Sequence, residues 1–109
     1  MLRIRVIMGQ NDVMRISEGL KKVGVGGLTV SKMRGRGKKP GPEIHASKGS
    51  EIFTPQFSDK YVIELIIADS KEEEVINIIR QKARAGKIFV SPVSRAIDIA
   101  TGEEGEKTI

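Results

Sequence analysis

Tyr61-Val-Ile-Glu-Leu-Ile-Ile-Ala68 is an apolar run broken only by Glu64. A run of this length suits one strand, and apolar side chains on both faces of a strand call for cover on both faces. Helical spacing recurs in two places, at Val13, Ile16, Leu20 and Val23 and at Val75, Ile76, Ile79 and Ala83. Two helices can blanket one face of a small sheet. The second face is therefore expected to meet another copy of the chain.

The remaining segments fit around that strand. Leu2, Ile4, Val6 and Met8 alternate with Arg3 and Arg5, the period of a strand with one face inward. Asn11 or Asp12 is the expected N-cap of the first helix, which ends near Gly24. Leu28–Arg34 reads as a second strand. Ser70 and Glu73 have capping-box spacing ahead of the second helix, with Glu72–Glu74 favourable in its first turn and Gly86 as its stop. Lys87–Ser91 reads as a last strand halted by Pro92, and Ala96–Ala100 as a continuation of β structure before a polar tail. The order predicts an α+β, ferredoxin-like βαββαβ fold: an antiparallel sheet with two helices on one face and a long loop between strands two and three. One domain, residues 1–109, accounts for the whole length.

The long loop, residues 36–59, holds Gly, Pro, Lys and Ser without periodicity. Loops of that length in a small domain carry function. Charge concentrates just before it: residues 1–41 hold ten Lys/Arg against two acids, and the rest nine against twelve. Such a patch suits nucleotide phosphates, nucleic acid or an acidic protein face. Aromatic residues are only 4% of the chain, too few for a base-stacking platform, so Arg34, Arg36, Lys38 and Lys39 are not expected to bind nucleic acid. The absence of cysteine removes disulfides and thiolate metal sites. No run approaches the roughly 18 apolar residues of a membrane span, so a cytoplasmic protein without membrane insertion is expected.

Catalysis has little to draw on. His45, the single histidine, lies in the loop with no acid placed by spacing, and reads as a solvated residue; no metal site is expected. Gly35-Arg-Gly-Lys-Lys-Pro-Gly41 is glycine-rich and cationic, so its backbone N–H groups and side chains suit an anion or nucleotide, though neither the Walker A nor the Rossmann spacing is present.

Four separate stretches resemble one family. Gly26-Gly-Leu-Thr-Val30, Gly35-Arg-Gly-Lys-Lys39, Lys48-Gly-Ser-Glu51 and the tail, with Lys87-Ile-Phe-Val, Pro92-Val, Ala96-Ile and Thr101-Gly-Glu-Glu-Gly-Glu106, resemble the PII signal-transduction family of nitrogen regulatory proteins in order and spacing. The resemblance implies a cytoplasmic homotrimer, not an enzyme. It implies an adenine nucleotide (ATP, ADP or AMP) in each cleft between subunits, and a protein target, such as a transporter, enzyme or regulator, met through residues 36–59. It places Ile7, Thr29, Gly35, Gly37, Lys38, Lys87 and Phe89 around the nucleotide, and makes residues 94–109 a C-terminal loop.

The chain also departs from that pattern. The glycine loop that surrounds phosphates in the family is shortened to Ala85-Gly86-Lys87, and the tail positions where the family sets arginines are Asp98 and Ala100. Arg36, Lys38 and Lys39 are candidates for replacement charge. Lys39 stands where the family has a glutamine that helps hold metal-linked 2-oxoglutarate, which weighs against that ligand. Ile52 replaces the tyrosine that some members have uridylylated. The alternative reading is a trimeric adaptor that binds proteins but no longer senses small molecules.

Overall fold

The computed structural model describes residues 1–38, the backbone of 44–45 and 52–53, and residues 56–109. The described residues form six strands: β1 (Leu2–Met8), β2 (Thr29–Gly35), β3 (Ile44–His45), β4 (Ile52–Phe53), β5 (Ser58–Ile67) and β6 (Gly86–Pro92). The helices are α1 (Gln10–Lys22) and α2 (Glu72–Lys82), with 3-10 turns at Asp69–Lys71 and Glu106–Thr108. The main sheet has the order β2-β5-β1-β6, every neighbouring pair antiparallel. Since β5 separates β1 from β2, the β1-α1-β2 unit is split, as the ferredoxin-like order requires. β3 and β4 pair with each other, Ile44 opposite Phe53, so the segment read as pure loop carries a short ladder of its own. The loop also ends earlier than expected, because Ser58 and Asp59 already belong to β5.

Both helices pack on one face. Ile4, Val6 and Met8 of β1 and Ile63, Leu65 and Ile67 of β5 meet Ile16 and Leu20 of α1 and Val75 and Ile79 of α2 in one core. Ile78, rather than the expected Ile76, joins Val75 and Ile79 against it. The register puts Arg3, Arg5 and Ile7 opposite Ile66, Glu64 and Val62 on the other face. Neither helix covers that face, where Phe89 is 53% exposed although Val62 is only 3% exposed.

Local chemistry sets the turns, not always as the sequence suggests. At the end of α1, Gly24 takes φ +84 and the N–H groups of Val25 and Gly24 return to the carbonyls of Leu20 and Lys21 at 3.0 and 3.2 Å. This is a Schellman stop, with Val25 buried in the core as its hydrophobic contact. Lys71 Nζ donates to the Val23 carbonyl at 2.7 Å, tying the start of α2 to the end of α1.

Neither expected N-cap forms. Gly9 occupies the cap position of α1, which places Asp12 inside the first turn, and α2 starts from a 3-10 turn with Lys71 at its cap rather than from a Ser70 capping box. Gly86 is not the stop of α2 either, since the helix ends at Lys82 and Ala83 is already extended. Gly86 instead opens β6 at φ +138.

The tail is not a strand. Ile97 and Glu104 form one isolated bridge, and Asp98 folds the chain between them. Its Oδ1 accepts from the backbone N–H groups of Ala100 and Thr101, both at 2.9 Å, while its carbonyl accepts from Gly102 at 2.8 Å. Asx-type contacts of this kind compete with extended pairing.

Candidate functional site

The best-formed part of the candidate site lies where β1, β6 and the end of α2 meet. Ile7 on β1 stands directly opposite Lys87 on β6. Both line a cavity of about 290 Å3 that also takes in Arg80, Arg84 and Gly86. The link Ala83–Ala85 forms one wall, and its course is set from both ends. Ala83 N–H donates to the Ile79 carbonyl at 2.9 Å, and Arg84 N–H donates to Asp12 Oδ2 at 3.0 Å. Asp12 is 5% exposed and its Oδ1 has no hydrogen-bond partner among the described residues; the Arg15 guanidinium stands 4.0 Å from it. A buried carboxylate with a backbone donor on one oxygen holds the link against the first turn of α1.

Glycine is obligatory at the start of β6. A Cβ on Gly86 would lie 2.0 Å from the Ile7 carbonyl oxygen. That close approach brings Lys87 into register with Ile7, with Phe89 two residues on along the same face.

The other candidate residues lie elsewhere. Thr29 begins β2, the opposite edge of the sheet, and lines a second cavity of about 860 Å3 with Glu64, Ile66, Lys71 and Ile109. Three strand spacings separate β2 from β6, about 14 Å. Gly35 ends β2 opposite Ser58, beyond the last residue of β1, and Gly37 and Lys38 continue past it. One protomer therefore brings Ile7 and Lys87 together, and leaves Thr29 and the group Gly35, Gly37 and Lys38 at the far edge. Phe89 stands opposite Arg5 on the uncovered face.

Arg5 was not singled out by the sequence, and Asp12 was expected only as a helix cap. Arg5 donates to Met33 Sδ at 3.6 Å and lies 3.7 Å from Glu64 Oε1, bridging β1, β5 and β2 on the face away from the helices; its Nε is buried without a partner among the described residues. The Arg3/Arg5 alternation marks only the more polar face of a strand, and nothing local distinguishes Arg5 from Arg3. Asp12 did carry a signal, an acid next to a helix start, but its partner lies 72 residues away.

In the tail, Arg95 pairs with Glu104 Oε1 through both Nε and Nη2 at 2.8 Å. The Asp98 carboxyl is held below the ordinary carboxylate range, first by the Thr101 backbone N–H, then by the Thr101 hydroxyl and the Ala100 N–H. Asp98 is thus a turn former, and its charge stays on at neutral pH. Among the described residues no group of His, Asp and Glu is arranged to hold a metal ion, and no helix is long and apolar enough to cross a membrane. Lys39, the loop prolines Pro40, Pro42 and Pro55, and the side chains of His45 and Ile52 lie outside the described residues.

Comparison with known proteins agrees with the fold. The family model for "Nitrogen regulatory protein P-II" matches residues 1–103. A nitrogen regulatory protein P-II homolog of Arabidopsis thaliana is 39% identical over 111 residues, covering 96% of this chain and 56% of the relative. The corresponding homolog of Oryza sativa is 37% identical, with 51% of its length covered. The chain thus spans about half the length of these plant relatives. The nitrogen regulatory protein P-II of Azospirillum brasilense is 34% identical over 114 residues, with all of both chains covered. Among solved structures, Arabidopsis thaliana PII bound to citrate superposes with a TM-score of 0.75 at 33% identity, over 97% of this chain and 86% of that one.

Proposed function

Because the chain belongs to the nitrogen regulatory protein P-II family, we propose that it is a cytoplasmic signal-transduction protein that responds to an adenine nucleotide and regulates a protein target through residues 36–59. It acts by binding rather than by catalysis. The nucleotide favours one state of the loop, and the target reads that state, a shift of population set by differential affinity.

The observation that carries this reading is the division of the candidate residues between opposite edges of the sheet. Ile7 and Lys87 lie at the β1–β6 side, while Thr29 and Gly35 lie on β2 and Gly37 and Lys38 follow its end. Among the described residues both edges of the main sheet lack a partner strand, and neither helix covers the face between them. A homotrimer with these faces turned inward buries Phe89 and Met33 and sets one copy's β6 residues near another copy's β2 residues. Each site then holds ATP, ADP or AMP between two copies. Light scattering tests the assembly: a mass three times the 12.0 kDa chain is expected. Thermal-shift titration with ATP, ADP, AMP and cyclic nucleotides, with and without magnesium and 2-oxoglutarate, tests the ligand. A nucleotide shift with no added response to 2-oxoglutarate is expected, and a monomer would sink the shared site.

The tail favours a second reading, a trimeric adaptor without small-molecule sensing. Asp98 places a carboxylate, and Ala100 no charge, where the resemblance sets cations. A target that binds equally with and without every nucleotide, together with no thermal shift, would select the adaptor.

A further inference from the structure

The cavity at the end of α2 carries more positive charge than the motif residues supply. Arg80 from the last turns of α2, Arg84 from the link and Lys87 from β6 all line it, and no Asp or Glu does. None of the three takes part in an ion pair among the described residues. The nearby acid, Asp12, is already engaged with the Arg84 backbone N–H and faces Arg15. The C-terminal end of α2 contributes about half a negative charge, against three full positive ones. The cavity, about 290 Å3 and open to one side, leaves these cations accessible to an anionic group.

We propose that Arg80 and Arg84 join Lys87 in holding the phosphates of the bound nucleotide, replacing the cations that the tail lacks at Asp98 and Ala100. The inference rests on the nucleotide reading above and names the residues that give it phosphate affinity. Guanidinium groups offer forked donors to phosphate oxygens, and here one projects from the last turns of α2 and the other from a link whose backbone is anchored. Because the Arg84 anchor is a backbone N–H, truncating its side chain leaves the contact to Asp12 in place.

The test is calorimetric titration of the full chain and its Arg80→Ala and Arg84→Ala variants with ADP, adenosine and inorganic pyrophosphate, with melting temperature as a folding control. Each variant is expected to melt like the parent and to weaken ADP and pyrophosphate by roughly tenfold or more, with adenosine unchanged. ADP affinity equal to that of the parent in both variants, or an equal loss for adenosine, overturns the proposal. Should the parent bind no nucleotide, the nucleotide reading fails, and pyrophosphate decides alone: binding lost in both variants sustains the basic cavity as an anion site, and no binding by the parent ends it. The more conservative Arg84→Lys, keeping charge without the fork, is expected to retain part of the affinity.

Discussion

Gly86→Ala isolates the contact on which the β6 side of the candidate site depends. The new Cβ would fall 2.0 Å from the Ile7 carbonyl oxygen, where ordinary van der Waals contact begins at 3.4 Å, so the strands must part by more than an ångström. Neither side gives easily. β1 is paired on both edges at Ile7, with Val62 and with Lys87, and its neighbours Val6 and Met8 are buried in the core. Holding an L-residue at the φ of +138 that Gly86 adopts costs about 1–3 kcal/mol. Parting the strands sacrifices one or two ladder hydrogen bonds at about 1 kcal/mol each. The combined loss is about 3 kcal/mol, a large share of the roughly 5–15 kcal/mol that holds a domain together. For a chain of this size it lowers the melting temperature by about 10–20 °C.

Gly102→Ala supplies the control. Gly102 also has positive φ, +74, but an added Cβ meets nothing within 4 Å, so only the backbone cost of about 1–2 kcal/mol applies. Urea and thermal denaturation at one fixed protein concentration compare the two, since assembly makes stability concentration-dependent. A Gly86→Ala variant no less stable than Gly102→Ala would refute the steric account.

Gly19→Leu tests the helix crossing: a Cβ on Gly19 already meets Ile78 Cγ2 at 2.8 Å and Lys82 Cγ at 3.2 Å, so overpacking is expected to cost about 1–3 kcal/mol by urea denaturation, and a neutral result would place α1 and α2 further apart. Asp12→Ala removes the acceptor of Arg84 N–H; a loss of about 1–2 kcal/mol is expected together with faster hydrogen exchange at the Arg84 amide, and unchanged exchange there would show that Asp12 does not anchor the link. The tail turn is expected to respond to acid. The Asp98 carboxyl lies below its ordinary value because Thr101 and Ala100 donate to it, so its contribution is complete above about pH 4 and lost as pH falls through the lowered value. The amide shifts of Ala100 and Thr101 should titrate below the ordinary Asp range and lose that titration in Asp98→Asn; a midpoint at or above that range contradicts the turn.

The elements that were legible in the sequence are those whose cause is local. The alternation of β1 survives because only one of its faces is covered by the helices, and Gly24 stops α1 because a Schellman turn uses residues adjacent in the chain. Misreadings arose where one residue type serves two purposes. A glycine after a helix signals a stop, yet Gly86 is needed for approach to Ile7, a residue from the other end of the chain. Asp12 looks like a cap because the local rule cannot see Arg84. Ile97 and Ile99 alternate as in a strand, but Asp98 between them accepts two backbone N–H groups and turns the chain. The candidate site was legible only through motif order, since no periodicity relates residues on opposite edges of a sheet.

That placement has a thermodynamic consequence for the proposed regulator. A ligand held between the β6 edge of one copy and the β2 edge of another binds only the assembled state, so assembly and nucleotide affinity are linked and each strengthens the other by the same factor. The two halves contribute differently. The β6 side has its backbone fixed by Gly86 against Ile7 and by Asp12 on the shortened link, so its exposed cations project from a set course of the chain. The β2 side runs through Gly35, Gly37 and Lys38 directly into the segment proposed to meet the target. Phosphates anchored on the rigid side and touched from the other would therefore tie the state of that segment to the nucleotide. Shifting charge from the tail to Arg80 and Arg84 moves the anchor toward the rigid side and preserves that division.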